Sequence, residues 1–514
     1  MAAAQQHDPT HRYLPLEGWR GLCALFVAVL HLPTASHIHP LGLIGNAHLF
    51  VDFFFVLSGF VISHAYLARL ATAADARIMI WRRIARLWPL HVAMLGAFVA
   101  LELARPLLAA VAGLGDRGPL FDPASPALLE AIPTHLFFLH SFGLHGHLTW
   151  NIPSWSIAAE FWTYIVFAIV MLCTPRRSVL AAIAIAAGGA LVVISCSKNL
   201  MATHHDLGFF RCLYGFFVGH LVYRLGSMRP MPRALASASE IVCVGIVVAY
   251  VSLCGRTALA FAAPLVFGLV ILVFAQARGT MSDLLGSRPL VMLGAWSYSI
   301  YMVHSLLVTV LHRGLTVAGR HVGEPLLAIV ESPNGPVHRI DFGGPVAMDL
   351  LTLAYLALLL ALSAASWRFI EMPAQKLLNG RAAAPIPAGL LPEVVPGANP
   401  MAIAPGPVAA VTEAVRSSTP ARAPATEWRL GFALPACRYF VTIRLGAEQR
   451  SPNRLAADGQ TQVPVAATAY VVAGSGLCLM FGLLCALYLL KSFAGINLFA
   501  GASPLHPLYA LFFE

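Results

Sequence analysis

The stretch "WRGLCALFVAVLHL", residues Trp19–Leu32, decides the fold. It has the composition of a membrane-crossing helix except at Arg20 and His31, whose side chains are costly to place in a bilayer. Eleven residues at ~100° each make ~1100°, about 20° beyond three turns, so both side chains fall on one helical stripe. The stretch therefore predicts a spanning helix whose polar face carries a cation and an imidazole roughly 16 Å apart.

The composition places the rest of the chain in a membrane as well. Of its 514 residues, 58% are hydrophobic and 11% are charged, whereas soluble domains have about 25% charged residues. Apolar runs of about twenty residues, the length that crosses a ~30 Å hydrocarbon core, alternate with short polar or basic links. We therefore predict an all-α, polytopic membrane protein rather than an outer-membrane barrel, whose strands would show ten-residue alternation.

Ten segments of the sequence are predicted to span the bilayer. They are residues 17–38, 48–68, 87–104, 154–173, 178–195, 207–225, 239–254, 258–277, 289–311 and 346–369. Arginines concentrate in alternate links between them, which the positive-inside rule places in the cytoplasm together with both ends of the ten-span unit. Because the net charge of +10 is distributed over these loops, it does not indicate a nucleic-acid partner.

The sequence divides into three regions. Residues 1–381 form the ten-span membrane domain, and the Ala/Pro-rich residues 382–426 are predicted to be a disordered or extended linker. Residues 427–514 form a C-terminal region whose apolar stretch 467–490 is long enough to be an eleventh spanning helix. The nine cysteines include no CxxC pair, and we predict no metal site.

Polar residues recur at one predicted depth in several spans. In "NIPSWSIAAEFWTYIVF", residues 151–167, Glu160 lies two turns beyond Pro153, too deep to act as a helix cap, and Ser156 and Tyr164 share its face. The other residues predicted at this depth, in the outer part of the bilayer, are His31, Asp52, Arg211 and His304. Ionisable groups at matched depth predict a shared polar cavity, and the alternative is a polar network that only pairs helices.

A second polar cluster is predicted at the cytoplasmic side. "RIMIWRRIARLWPLH", residues 77–91, brings Arg82, Arg83 and Arg86 to the entrance of the third span, which Pro89 is predicted to start. Such arginines can simply set the topology, but their fork-shaped side chains also suit phosphate. Arg20 faces the same compartment and could join this site.

The segment "VDFFFVLSGFVI", residues 51–62, places Ser58 and Gly59 at mid-membrane. A small-residue pair there indicates close helix packing, or a kink beside a cavity.

Seven motifs, taken in chain order, resemble those of acyltransferase family 3, the bacterial ten-span enzymes that O-acylate surface carbohydrates. They are "LEGWRGLCALFVAVLH", "VDFFFVLSGFVI", "RRIARLWPLH", "PSWSIAAEFWTY", "RCLYGFFVGHLVYR", "SYSIYMVHSLLV" and "SWRFIEMPAQKL", and together they cover about residues 12–378. The resemblance implies a multi-pass protein of the bacterial inner membrane with a cytoplasmic N-terminus. It also implies transfer of an acyl group, most often acetyl, from cytoplasmic acyl-coenzyme A to a hydroxyl of exopolysaccharide, lipopolysaccharide or a lipid-linked glycan. No cofactor is implied beyond this co-substrate.

The resemblance also assigns residues to roles. The family's essential Arg and His, separated by ten residues, fall on Arg20 and His31, and its Arg-x-x-Arg motif falls on Arg83 and Arg86. Its Trp-Ser-x-x-x-Glu element includes Glu160. The usual second acidic residue of that element is replaced by Phe161, so a role that needs two carboxylates is not expected.

We therefore predict His31 as the general base, or the site of a transient acyl group, with Glu160 orienting it. Arg83, Arg86 and Arg20 are predicted to bind the phosphates of acyl-coenzyme A. The predicted substrate cavity contains Asp52, Ser58, Trp155, Ser156, Tyr164, Arg211 and His304. The alternative classes are a proton-coupled transporter or flippase of a glycan or lipid, which would use the same layer as a relay, and a membrane scaffold without catalysis.

Overall fold

The computed structural model describes residues 12–106, 109, 120–122, 125–174, 178–226, 231–332, 335–379, 426–434 and 437–445. The chain forms two units, one of Met1–Leu391 with Gly501–Glu514 and one of Pro392–Ala500. The predictions of a linker over residues 382–425 and of an eleventh span over residues 467–490 lie outside the described residues.

The first unit is mainly helical. Its helices are α1 Leu14–Leu30, α2 Phe50–Tyr66, α3 Ala73–Leu103, α4 Ala131–Leu136, α5 Trp155–Cys173, α6 Ser178–Cys196, α7 Gly208–Leu225, α8 Arg233–Cys254, α9 Ala263–Phe274, α10 Thr280–Leu285, α11 Arg288–Val322, α12 Gly344–Ser366 and α13 Met372–Asn379. Single turns at Gly42–Gly45, Ala47–Leu49, Ile152–Ser154 and Ala258–Ala262 and a π-helical turn at Trp367–Glu371 complete the set.

Within the described residues, seven helical stretches are long and apolar enough to cross a membrane. They are Ala47–Tyr66, Ala73–Leu103, Ile152–Cys173, Ser178–Cys196, Arg233–Cys254, Arg288–Arg320 and Gly344–Asn379, with Ala258–Phe274 as a shorter apolar helix. The prediction of a helical membrane protein is confirmed. Helices occupy all ten predicted segments, but the count of ten crossings stays a prediction.

The predicted start of the third span at Pro89 is wrong. Helix α3 begins after Thr72, whose hydroxyl accepts a hydrogen bond from the amide of Asp75 while the Asp75 carboxylate accepts one from the amide of Thr72. This capping box sets the helix start, and Pro89 lies inside the helix, which membrane helices tolerate. The arginines of residues 82–86 therefore lie on a helix and not in a loop.

The first helix is shorter than predicted. Helix α1 ends at Leu30 instead of extending to residue 38, because Pro33 disfavours helical backbone at the residue before it. His31 is the C-cap, and its near-helical backbone (φ −82°, ψ 0°) continues the turn. The imidazole thus lies at the helix end.

Two β-hairpins were not predicted. Strand β1 (Leu327–Ser332) pairs antiparallel with β2 (Gly335–Ile340), and in the second unit β3 (Thr426–Leu434) pairs antiparallel with β4 (Cys437–Leu445). The sequence Asn334-Gly335 between β-branched runs is a hairpin signal that could have indicated the first of them. The chain is therefore mostly helical but not purely all-α.

Close contacts at glycines bring the site helices together. A Cβ on Gly294 of α11 would lie 2.2 Å from the carbonyl oxygen of Glu17, so the backbones of α1 and α11 nearly touch. A Cβ on Gly59 of α2 would likewise lie 1.8 Å from the carbonyl oxygen of Phe216 on α7. Close helix packing, one of the two interpretations of the Ser58–Gly59 pair, is therefore observed.

We expect Gly219→Ala to destabilise the protein. The new Cβ would lie 1.9 Å from the carbonyl oxygen of Val56, so α2 and α7 must separate. Overpacking of this kind lowers the free energy of unfolding by about 1–3 kcal/mol, which thermal unfolding in detergent would measure. Gly245→Ala is the control, because its Cβ meets no atom within 4 Å. Equal effects from the two variants would contradict the close packing.

Candidate functional site

A cavity of about 130 Å³ lies among helices α1, α2, α3, α5 and α11. It brings together seven of the predicted site residues: Arg20, Ser58, Arg83, Arg86, Ser156, Glu160 and Tyr164. His31, Asp52, Trp155, Arg211 and His304 are not part of its lining. The cavity therefore contains only part of the predicted set of polar residues.

The three arginines at the cavity differ in how fully they are paired. Arg20 forms an ion pair with Glu17 at 2.7 Å and donates to the carbonyl oxygen of Gly294 at 2.6 Å. Among the described residues, Arg83 and Arg86 form no ion pair with a carboxylate, and the Nε of Arg83 is buried without a partner. The guanidinium groups of Arg83 and Arg86 are thus better placed than that of Arg20 to bind an anion.

Glu160 belongs to a chain of hydrogen bonds across the cavity. The Tyr164 hydroxyl donates to Glu160 Oε1 at 2.5 Å, so the Ser58 hydroxyl, 2.9 Å from the tyrosine oxygen, donates to Tyr164. The guanidinium of Arg83 lies 6.0 Å from the centre of the Tyr164 ring. No hydrogen bond between Glu160 and His31 occurs in the described structure, so the predicted orientation of His31 by Glu160 is not observed.

Tyr301 forms part of the cavity wall and also contacts the histidines. Its hydroxyl lies 2.8 Å from Ser156 Oγ, and Ser156 donates to the carbonyl oxygen of Pro153. The Tyr301 ring packs 6.1 Å from the ring of Phe54, which also lines the cavity, and 5.8 Å from that of His304. One aromatic side chain therefore connects the cavity wall to the histidine pair.

His31 and His304 lie side by side, with ring centres 4.9 Å apart. The Nδ1 of His31 is 2.8 Å from the carbonyl oxygen of Val27, and the Nδ1 of His304 is 3.2 Å from that of Ile300. Because a carbonyl oxygen only accepts, each Nδ1 carries a proton, which leaves Nε2 as the acceptor of each neutral ring, and the Nε2 of His304 has no partner among the described residues. His304 is fully buried whereas His31 is partly exposed, so His31 is the more accessible of the two rings.

Asp52 and Arg211 form a separate buried ion pair. Two hydrogen bonds of 2.8 and 2.9 Å join them, Arg211 also donates to the carbonyl oxygens of His48 and Thr203, and both side chains are 0% exposed. Trp155 lies against this pair, with its ring 5.6 Å from the guanidinium. The charges are satisfied by each other, which explains why these three residues, although predicted to line the cavity, lie outside it.

The loop beside the ion pair contributes a neutral histidine. Burial, followed by the repulsion of Arg211, lowers the pKa of His204 to about 3. Its ring packs edge-on against Trp155. This imidazole therefore stays uncharged at neutral pH.

Sequence reasoning missed several residues of the cavity and its surroundings. Ser297, Tyr298 and Tyr301 line the cavity, and the spacing of Ser297 and Tyr301 to His304 on one helix could have indicated those two. The carboxylate of Glu371, in the π-helical turn, is buried, accepts a hydrogen bond from Ser299 and leaves Oε2 without a partner. Its motif was recognised, but nothing in the spacing indicated a buried acid there.

Apolar helices around a small cavity lined by arginines, tyrosines and a carboxylate define an integral membrane protein with a polar site in its interior. The chain belongs to acyltransferase family 3, since the acyltransferase domain of that family matches residues 14–368.

Two proteins show sequence similarity to the chain. It is similar to "Protein 2 in picA locus" of Rhizobium radiobacter, with 33% identity over 165 residues, covering 31% of this chain and 83% of that protein. It is also similar to "Acyltransferase MdmB" of Streptomyces mycarofaciens, with 27% identity over 334 residues, covering 58% of this chain and 79% of that protein. No solved structure shows significant similarity. Family and relatives confirm the resemblance and favour an acyltransferase over the transporter or the scaffold.

Proposed function

We propose that this acyltransferase moves an acyl group, most often acetyl, from acyl-coenzyme A on the cytoplasmic side to a hydroxyl of a carbohydrate. The observation that carries the choice of donor is that Arg83 and Arg86 line the cavity and, among the described residues, form no direct ion pair with a carboxylate. Guanidinium groups without a direct carboxylate partner suit the phosphates of coenzyme A, because they can form bidentate hydrogen bonds to phosphate oxygens.

The size of the cavity favours entry of only part of the proposed donor. Its volume of about 130 Å³ is well below the ~300–1,000 Å³ of pockets that enclose whole ligands. The acyl thioester and the end of the pantetheine arm therefore occupy the cavity. The phosphates and the nucleotide stay at the mouth, beside Arg83 and Arg86.

His31 is the proposed general base. The Nδ1–H of His31 donates a hydrogen bond to the carbonyl oxygen of Val27, so Nε2 carries the free lone pair of the ring. The partial exposure of the His31 side chain would let the acceptor hydroxyl approach Nε2. Nε2 takes the hydroxyl proton as the oxygen attacks the thioester carbon, the carbon–sulfur bond breaks, and the imidazolium returns the proton to the leaving thiolate. Atoms and charges balance without another cofactor.

Delivery of the acyl group to His31 requires a movement of aromatic side chains. Phe54 and Tyr301 belong to the cavity wall, and His31 lies beyond that lining, next to His304. We propose that the thioester passes between the two rings when they rotate apart. The chain Ser58–Tyr164–Glu160 has a positioning role, since the Ser58 hydroxyl donates to Tyr164 and the Tyr164 hydroxyl donates to Glu160.

The proposed reaction is tested by acyl transfer with purified protein. Protein in detergent or nanodiscs is incubated with acetyl-coenzyme A labelled in the acetyl group, with and without a glycan acceptor. Label in the glycan, accompanied by free coenzyme A, supports the proposal. Failure with acetyl-coenzyme A across a panel of envelope glycans, while another acyl donor is used, would exclude the proposed donor.

We expect Arg86→Gln and Arg83→Gln to weaken the use of acetyl-coenzyme A. A lost charge-assisted hydrogen bond is worth about 1.5–3 kcal/mol, so the KM for the donor should rise roughly 10- to 100-fold for each variant. Arg69→Gln is the matched control, because Arg69 is an exposed arginine outside the cavity lining. An unchanged KM in both cavity variants would remove the basis for placing the phosphates there.

A further inference from the structure

Three buried histidines meet outside the cavity. His91 of α3, His135 of α4 and His140 of the loop after α4 are 1%, 0% and 6% exposed. Each offers a ring nitrogen, and these nitrogens lie within 4.8 Å of one another. The three imidazoles are nearly parallel, with interplanar angles of 4° to 7°. We call them the histidine cluster.

The hydrogen bonds around the histidine cluster leave nitrogens unused. His91 Nε2 is 3.0 Å from the carbonyl oxygen of His135, so it carries the proton, and His91 Nδ1 has no partner in the described structure. His135 Nε2 bonds Thr149 Oγ1 at 2.9 Å, and its Nδ1 is likewise unpaired. His140 Nε2 lies 3.1 Å from Ser154 Oγ, whereas its Nδ1 has only a long 3.4 Å contact with the carbonyl oxygen of Thr134. Leaving a buried polar atom unpaired costs about 1–3 kcal/mol, so two of them in one cluster need an explanation.

We propose that His91, His135 and His140 bind one divalent transition-metal ion of the zinc type. Three imidazoles without a carboxylate are a ligand set that Zn²⁺ and Co²⁺ accept readily, and a water would complete four-coordination. In metal sites a ligating histidine usually donates its second ring N–H to a carbonyl or another polar partner. Each cluster histidine has such a partner at Nε2, which leaves Nδ1 for the ion. The proposal replaces the expectation from the sequence that no metal site is present.

Metal binding requires a small rearrangement. Tetrahedral coordination with bonds of ~2.0–2.1 Å places ligand nitrogens about 3.4 Å apart, closer than the 4.8 Å limit of the cluster. His135 and His140 lie face to face, with ring centres 3.8 Å apart, and must turn about χ2 to direct nitrogens at a common ion. That torsion is broad for histidine.

The ion would join the segment between α3 and α5 to the helices that form the cavity. His91 belongs to α3, His135 and His140 belong to the segment between α3 and α5, and Ser154 lies directly before α5, which carries Glu160. The segment around residues 131–150 would thereby be fixed to both helices. Removal of the ion should loosen this segment without touching Arg83, Arg86 or His31.

The test measures metal binding directly. Full-length protein, purified without a histidine tag, is stripped with chelator and titrated with Co²⁺, whose tetrahedral complexes absorb visible light. We expect one Co²⁺ per chain, displacement by Zn²⁺, and a higher melting temperature with Zn²⁺ than after stripping. His135→Gln and His91→Gln should lose the absorption and the Zn²⁺-dependent shift while remaining monodisperse in detergent.

The matched control is His147→Gln. His147 also lies in the segment between α3 and α5, but its ring forms a hydrogen bond with the carbonyl oxygen of Ser125 and not with a residue of the histidine cluster. This variant should bind Co²⁺ as the unaltered protein does. If the unaltered protein binds no Co²⁺ or Zn²⁺ in stoichiometric amount, or if His147→Gln loses binding as His135→Gln does, the proposal is overturned.

Discussion

Replacing His31 by alanine is expected to lower acyl transfer at least 10²- to 10⁴-fold, which is the range that general-base catalysis contributes. The ring makes one hydrogen bond, to Val27, and packs against His304, so its loss should leave the fold intact. The rate of label transfer from acetyl-coenzyme A to glycan measures the effect, and the melting temperature in detergent checks the fold.

His37→Ala is the control for that prediction. His37 follows the same helix but is exposed, and it pairs with Asp349 away from the cavity. It should transfer at the normal rate. Normal transfer by His31→Ala would show that the imidazole has no chemical role. Acid-quenched label on the unaltered protein in the absence of acceptor would favour a transient acyl-histidine over direct general-base attack.

The second large effect is expected on stability. Asp52→Ala removes the carboxylate partner of Arg211 and leaves a guanidinium at 0% exposure without its counter-ion. Loss of one member of a buried pair costs about 3–5 kcal/mol, so the unfolding midpoint in detergent should fall steeply.

The double variant Asp52→Ala/Arg211→Met isolates the cause. With no charge left to bury, most of the lost stability should return. If the double variant is as unstable as Asp52→Ala alone, the deficit comes from packing and not from the unpaired charge.

The sequence predicted the parts of the site that depend on local spacing. Ser156, Glu160 and Tyr164 share a helix face by their four-residue separations, and all three line the cavity. Close packing at Gly59 followed from a small-residue pair in an apolar span. The helical membrane architecture followed from the length of the apolar runs.

The rest depends on contacts between distant segments. The position of a residue along its helix predicts its depth in the bilayer, but it does not predict which neighbouring helix the side chain faces. The ion pair between Asp52 and Arg211 could therefore not be predicted from depth alone. Pro89 suggested a helix start, yet the capping box at Thr72 decided it, seventeen residues earlier. The histidine cluster joins His91 to a loop more than forty residues away, a distance at which sequence spacing carries no information.

The aromatic wall of the cavity has a consequence for the cell envelope. A protein that carries a reactive carbonyl through a bilayer in a continuous wet passage would also let protons leak down their electrochemical gradient. Phe54 and Tyr301 line the cavity, and the Tyr301 ring packs against His304, which lies beside His31, so aromatic rings separate the cavity lining from the histidine pair. For the proposed acyl transfer, an aromatic barrier of this kind would limit proton leak through the protein.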